Sequence, residues 1–205
     1  LDEHLDRLEM VLQRLADTGL KLKPSKCRML QRRIVFLGHV VTEDGVSTDP
    51  AKSEQISRWP RPKSFREVRG FLGLCGYYRK FIDRYAEIAA PLTSMLKKGH
   101  RFCWTDESEV AFEKLKAVLT SPPILAMPKD EGLYILDTDA SDVSIGAVLS
   151  QVQDGQERVI AYAAKVLQPA QKNYIYVTRR ELLSVIVFTK HFRGYLLGRK
   201  WLLRT

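Results

Sequence analysis

Leu133-Tyr-Ile-Leu-Asp-Thr138, Ser144-Ile-Gly-Ala-Val-Leu-Ser-Gln-Val152 and Arg158-Val-Ile-Ala-Tyr-Ala163 read as three consecutive strands. Each is rich in β-branched and aromatic residues, and Asp154-Gly155 between the second and third is a hairpin-turn dipeptide. Thr178–Leu197 then follows as a long helix, and Lys200–Thr205 returns to a strand-like run. Strand, strand, strand, helix, strand is an α/β order that calls for a mixed sheet. Alternation along the first strand puts Leu133, Ile135, Asp137 and Asp139 on one face.

Working outward, the preceding residues are mostly helical. Asp49-Pro50 opens a helix that Trp59-Pro60-Arg-Pro62 breaks. Ser64-Phe-Arg-Glu67 has capping-box form and starts another, carrying Phe71, Leu72, Leu74, Cys75 and Tyr78. Residues 81–97 read as one further helix, ended by Lys97-Lys98-Gly99. Thr105 opens the next, which Ser121-Pro122-Pro123 stops. Gly70, Gly73 and Gly76 are not a dinucleotide loop, because no strand precedes them, and close helix packing is the expectation. Nearer the start, residues 4–18 form a helix ending before Gly19. Residues 27–31 and 33–41 read as strands, and 46–48 as a short strand after a Glu43-Asp44-Gly45 turn.

Of 205 residues, 45% are hydrophobic, enough for two small globular units. No apolar run approaches the roughly 20 residues of a membrane span, and residues 1–20 do not resemble a signal peptide. The chain does not begin with Met and stops in a strand-like run, so both ends are expected to continue into a longer protein. Cys27, Cys75 and Cys103 are too scattered for a zinc site or a disulfide framework. They suit a reducing compartment and read as buried small side chains. The net charge of +9 is localised: residues 51–101 hold 12 basic and 4 acidic side chains, net +8. A basic field of that kind favours a polyanion, of which nucleic acid is the commonest.

The order of short phrases is more specific than any one of them. Phe36-Leu-Gly-His-Val40 is followed by Trp59-Pro60, Phe71-Leu-Gly-Leu-Cys-Gly-Tyr-Tyr-Arg-Lys-Phe-Ile82, Ala89-Ala-Pro-Leu92 and Phe102-x-Trp104. Ala111-Phe-Glu-Lys-Leu-Lys116, Thr138-Asp-Ala-Ser141 and Gly146-Ala-Val-Leu149 complete the series. In order and spacing, over nearly the whole chain, it resembles the Pol polyprotein of Ty3/gypsy-type LTR retrotransposons. The resemblance implies an α+β and α/β chain. Residues 1–50 would be the end of a reverse transcriptase palm, with a primer-grip-like hairpin at 36–48. Residues 51–100 would be the helical thumb, 101–131 a connecting segment and 132–205 a truncated RNase H-like domain. It also implies an intracellular, cytoplasmic or virus-like-particle setting, and as partners template-primer, RNA–DNA hybrid and the rest of the polyprotein, with no membrane.

A thumb holds a duplex mostly through phosphates, which calls for Lys and Arg interleaved with aromatics. Trp59, Arg61, Lys63, Arg66, Arg69, Tyr77, Tyr78, Arg79 and Lys80 are the expected nucleic-acid contacts. The polymerase carboxylates of such proteins sit in a Tyr-x-Asp-Asp phrase that these residues do not contain. RNase H cleavage in the family uses two Mg²⁺ ions about 4 Å apart, or Mn²⁺, held by carboxylates. The resemblance makes Asp139 the first ligand and Glu181, near the start of the long helix, the second. An Asp at a strand end is otherwise a turn former. Thr178-Arg-Arg-Glu181 also has capping-box form, so Glu181 has a purely structural explanation beside the chemical one. Arg179 departs from the acidic residue common at its position. Asp137 is a poor ligand candidate, Asp142 a turn residue and His191 a helix-surface residue. The third carboxylate of relatives follows an Arg-Thr like Arg204-Thr205, so residues 1–205 alone are expected to be inactive, with an exposed apolar edge at Trp201-Leu-Leu203. The other reading is a domesticated nucleic-acid-binding module without catalysis.

Overall fold

The computed structural model describes residues 2–97, 99, 101–172 and 177–205. The chain divides into two compact units, residues up to Arg32 and Arg33–Thr205. The first unit holds α1 (Asp2–Asp17), which stops where Gly19 takes a left-handed backbone, φ 70°. None of its residues is buried, and Leu5, Val11 and Leu12 stay exposed. Residues 27–31 form no strand, because Leu30 turns the backbone left-handed at φ 52°.

The second unit opens with an antiparallel sheet, β1 (Ile34–Phe36), β2 (His39–Thr42) and β3 (Gly45–Thr48). The single strand expected over 33–41 is instead a hairpin. Phe36 pairs with His39, so Leu37-Gly38 is a two-residue turn, with φ of 47° and 69°. Positive φ at both central positions is the type I′ geometry that matches strand twist. The Tyr77 and Tyr78 hydroxyls donate to the carbonyls of Leu37 and Gly38 and fix this turn against the next helices.

Those helices are α2 (Pro50–Ser57), α3 (Phe65–Tyr77), α4 (Tyr85–Ile88), α5 (Ala90–Met95) and α6 (Asp106–Thr120). Their caps are legible: Asp49 accepts from Ala51 N–H, Ser64 from Glu67 N–H and Thr105 from Ser108 N–H. Glu67 in turn accepts from Lys63 N–H at 2.8 Å, which with Ser64 holds its carboxyl below the usual range. The one helix expected over 81–97 is two short ones. Arg84 is left-handed (φ 50°) and caps the first, and Pro91 sits in the first turn of the second. Lys98, part of the expected stop, lies outside the described residues.

Phe71 and Phe112 lie 4.6 Å apart at the centre of the first core, with Trp59 edge-on to Phe71 and Trp104 edge-on to Phe112. Cys75 is buried here, and burial pushes its thiol up to about 12. Cys103 is exposed and Cys27 half-buried, against the expectation of three buried cysteines. The glycine string does not serve close packing. A Cβ on Gly73 would meet nothing within 4 Å, and on Gly70 or Gly76 only ordinary contacts. Gly73→Ala should therefore stabilise the protein by about 0.5–1 kcal/mol, read as a rise in Tm. A fall in Tm would mean the helix needs that glycine for packing.

The second sheet has the order β6-β5-β4-β7: β4 (Tyr134–Ala140), β5 (Ser144–Gln153), β6 (Gln156–Val166) and β7 (Trp201–Arg204). β7 runs parallel to β4 and the other pairs are antiparallel, which is the expected mixed sheet. Leu202 and Leu203 on β7 are exposed. Short α7 (Pro169–Lys172) precedes α8 (Val177–His191), and α9 (Arg193–Leu196) follows. α8 already contains Val177, so Thr178 is inside the helix and Thr178–Glu181 is not its capping box. Phe188, Phe192 and Leu196 pack on Tyr134, Leu136, Ala147 and Leu149.

The two cores are joined rather than tethered. Leu125 exchanges both backbone hydrogen bonds with Val46 of β3, and Ala126 N–H donates to Val159 of β6. Gly45 permits this approach, since a Cβ there would stand 2.2 Å from the Leu125 carbonyl oxygen. The amides of Gln151 and Gln153, both buried, satisfy Lys129, Glu131 and Met127 and pin the intervening segment to β5.

Candidate functional site

β4 ends in a rigid turn. The Ser141 hydroxyl accepts from the backbone N–H groups of Val143 and Ser144 and donates to the Ser144 carbonyl, and Ser141 N–H closes the turn on the same carbonyl. Just before it stands Asp139, opposite Gly146 on β5. Its side chain is 65% exposed, and Oδ2 accepts from Arg84 Nη2 at 2.9 Å. Register places Asp137 and Asp139 on one face with Gly146 and Ala164, opposite the face that packs on α8. They line a cavity of about 150 Å³ together with Asp83, Arg84 and Glu87.

Asp137 is already committed. Arg204 on β7 grips both its oxygens and reaches Glu157 at 2.6 Å, and these bonds raise the Arg204 pKa further. Glu181 lies near the start of α8, four residues after Val177, and is exposed. Next to it, Arg180 donates to Asp142 in the β4–β5 turn. That pair brings the start of α8 to the end of the sheet where Asp139 stands, and it gives Asp142 more than a turn-forming role. Glu181 does not line the Asp139 cavity, however. Among the described residues no three His, Cys, Asp or Glu side chains are grouped closely enough to hold an ion. Donor type fits a hard cation, since carboxylate oxygens are what Mg²⁺ prefers. The Arg84 pair is no obstacle, because both partners are more than half exposed and such pairs contribute only about 0–1 kcal/mol.

Nothing in local sequence announced Arg84 or Arg204. Each meets its acid across more than 50 residues of chain, through packing that periodicity does not encode. The expected nucleic-acid contacts separate into three kinds. Tyr78 is 1% exposed, with its hydroxyl spent on Gly38, so it is a core residue rather than a surface one. Trp59 is half-buried against Phe71, and Arg61 stacks 5.5 Å over Trp104 while pairing with Glu109. Lys63, Arg66, Arg69, Tyr77 and Arg79 are exposed and Lys80 half-buried. His191 lies at the surface at the end of α8 with its ring against Phe188 and Phe192, and partial desolvation of that ring, followed by the Arg79 charge, lowers its pKa.

Residues 104–203 match the family described as the RNase H-like domain found in reverse transcriptase. The match begins at Trp104, well before β4. The retrovirus-related Pol polyprotein from transposon 297 of Drosophila melanogaster is 45% identical over 99% of this chain. That from transposon opus is 37% identical over 96%, and the transposon Tf2-3 polyprotein of Schizosaccharomyces pombe 36% over 95%. The chain spans only about a fifth of these relatives, at 19%, 21% and 15% of their lengths. Among solved structures, foamy viral protease-reverse transcriptase in complex with RNA/DNA hybrid superposes with a TM-score of 0.83 at 23% identity, over 99% of this chain and 28% of that one. The same enzyme in complex with dsDNA gives 0.81 at 23% identity, over 98% and 42%. At that identity the likeness establishes the fold, and the fold is the mixed α+β one. Residues 104–203 are thus an RNase H-like domain of the reverse transcriptase kind, and the chain is a homologue of the corresponding stretch of Ty3/gypsy-type retrotransposon Pol polyproteins.

Proposed function

We propose that this chain serves a retrotransposon reverse transcriptase and RNase H, gripping template-primer with its helical part and contributing two carboxylates to cleavage of RNA in an RNA–DNA hybrid. The observation that carries it is Asp139 at the rigid end of β4, exposed and held only by a weak ion pair. Residues 1–50 act as the end of the palm, 51–100 as the thumb, 101–131 as the connection and 132–205 as the nuclease domain. The hairpin at 36–48 is the primer grip, and the Tyr77 and Tyr78 hydroxyls set the position of its Leu37-Gly38 turn from the thumb side.

Asp139 and Glu181 are the side chains that would hold Mg²⁺, with substrate phosphate and water completing its shell. When bound, the metal lowers the pKa of water and stabilises charge on the leaving oxygen. The protein's own part is to hold Asp139 near the end of β4, paired with Gly146 of β5 and beside a turn fixed by Ser141. Arg84 keeps Asp139 neutralised in the absence of a cation and gives it up cheaply. The same pair is what favours a non-catalytic binding module as the second reading, since Asp139 already has a counter-ion. Its small magnitude argues against that. The test of the grip is a salt titration: affinity for an RNA–DNA hybrid should fall steeply and linearly in log–log form, with a slope of several units as several phosphates are neutralised. A salt-independent affinity would refute it.

A further inference from the structure

The cavity beside Asp139 takes side chains from both parts of the fold. Asp137 and Asp139 come from β4, and Asp83, Arg84 and Glu87 from the segment that carries α4, which lies against β5 and β6. Among the described residues Arg84 is the only cation that lines it, against four carboxylates. Two other arginines near this end of the sheet are committed. Arg204 spans Asp137 and Glu157, and Arg180 is paired with Asp142. Arg84 makes a single contact, from Nη2 to Asp139 Oδ2 at 2.9 Å, and the rest of its guanidinium has no partner among the described residues.

The backbone of Arg84 is fixed where its side chain is free. Its φ of 50° is left-handed, a conformation that glycine or asparagine takes with less strain. Its carbonyl accepts from the Glu87 and Ile88 N–H groups, and Ile82 and Ala86 on either side are buried. The side chain is nevertheless 59% exposed. An ion pair that exposed adds little to stability, so it does not account for an arginine in this conformation. What arginine supplies here is a charged fork on a fixed stem, and a phosphate is an anion that such a fork holds with two bonds. The cavity needs such a group. A phosphodiester strand led to Asp139 meets Asp83 and Glu87 as like charges, and Arg84 offsets them.

We infer that Arg84 is a substrate-binding residue of the nuclease site, supplied by the helical part: its guanidinium turns from Asp139 to a phosphate of the RNA strand once that carboxylate is engaged by metal. Arg84 lies outside residues 104–203, so the RNase H-like domain by itself does not contain it. The inference rests on the cleavage reading above and adds to it a residue that this reading leaves as a mere counter-ion.

The test uses a full-length Pol polyprotein carrying these residues, a labelled RNA–DNA hybrid, and the variants Arg84→Gln, Arg84→Lys and Asp139→Asn. At saturating hybrid Arg84→Gln should cleave at least about tenfold more slowly, the loss expected of one charge-assisted phosphate contact. Arg84→Lys keeps the charge without the fork and should recover part of that loss. Mn²⁺ binding is followed by electron paramagnetic resonance without nucleic acid, and the Asp139 site is defined as what Asp139→Asn loses. That site should bind Mn²⁺ about two- to fivefold more tightly in Arg84→Gln, because the competing ion pair is gone. Slower cleavage together with tighter metal binding is a combination that a purely structural role does not produce. Cleavage by Arg84→Gln at or above the parent rate, or Mn²⁺ binding that is unchanged or weaker, overturns the role of Arg84 and leaves the cleavage reading standing. A parent that does not cleave the hybrid, or that cleaves no faster than Asp139→Asn, overturns both. Melting curves establish that each variant is folded.

Discussion

Asp139→Asn, placed in a full-length Pol polyprotein carrying these residues, should lower cleavage of RNA in an RNA–DNA hybrid by at least about a thousandfold, equivalent to about 4 kcal/mol of transition-state stabilisation. The substitution keeps size and an acceptor for Arg84 but removes the charge a divalent cation needs. Because the side chain is exposed and its ion pair contributes at most about 1 kcal/mol, the fold should be unaffected, with a Tm close to the parent's. That separation is what makes the result interpretable: lost cleavage with an unchanged melt is a site effect, and lost cleavage with a lower Tm is not. Cleavage at the parent rate would remove Asp139 from the site. The 205-residue polypeptide by itself should cleave nothing even with Mn²⁺, because Asp139 and Glu181 are two donors where a two-ion clamp needs more. Robust cleavage by it, abolished by Glu181→Gln, would mean that other residues of this chain complete the site.

The parts of this architecture that were legible in the sequence are those with local causes. Asp49, Ser64 and Thr105 cap their helices because a side-chain oxygen reaches an amide two or three residues away, and that geometry is written in four residues. The Asp154-Gly155 turn and the mixed β4–β7 sheet follow from turn chemistry and strand period. What failed did so where backbone conformation departs from residue preference. Leu30, Leu37 and Arg84 are non-glycine residues at positive φ, and they remove a strand, fold one strand into a hairpin and cut one helix short. Only Gly38, beside Leu37, offered a signal. Asp139 was found through the Thr138-Asp-Ala-Ser141 phrase, but its partner Arg84 and the Asp137–Arg204–Glu157 network depend on contacts 47 to 67 residues apart, beyond any local pattern. The burial of Tyr78 is of the same sort. Its neighbour Tyr77 is exposed, and only the facing of α3 distinguishes them.

Phe71→Ala should have the largest effect on stability, and its distribution tests how the molecule is divided. Phe71 is fully buried, 4.6 Å from Phe112 and in edge contact with Trp59. Truncating such a ring costs about 3–5 kcal/mol, against a total of about 5–15 kcal/mol for an ordinary domain. If the helical core and the RNase H-like sheet were independent, that loss would stay among the helices. The packing says otherwise. Val159 and Tyr162 of β6 lie against the Phe71 core, Leu125 is bonded to β3, and Ala126 to β6, so the sheet's outer strand borrows part of its cover from the helices. Hydrogen exchange of β5 and β6 amides should therefore accelerate together with that of α3 and α6, by a factor of about 10² or more, as 3 kcal/mol requires at 1.4 kcal/mol per tenfold. Sheet amides that keep parent protection while α3 and α6 exchange freely would show two separable folding units. The shared residues would then be contacts without consequence for stability.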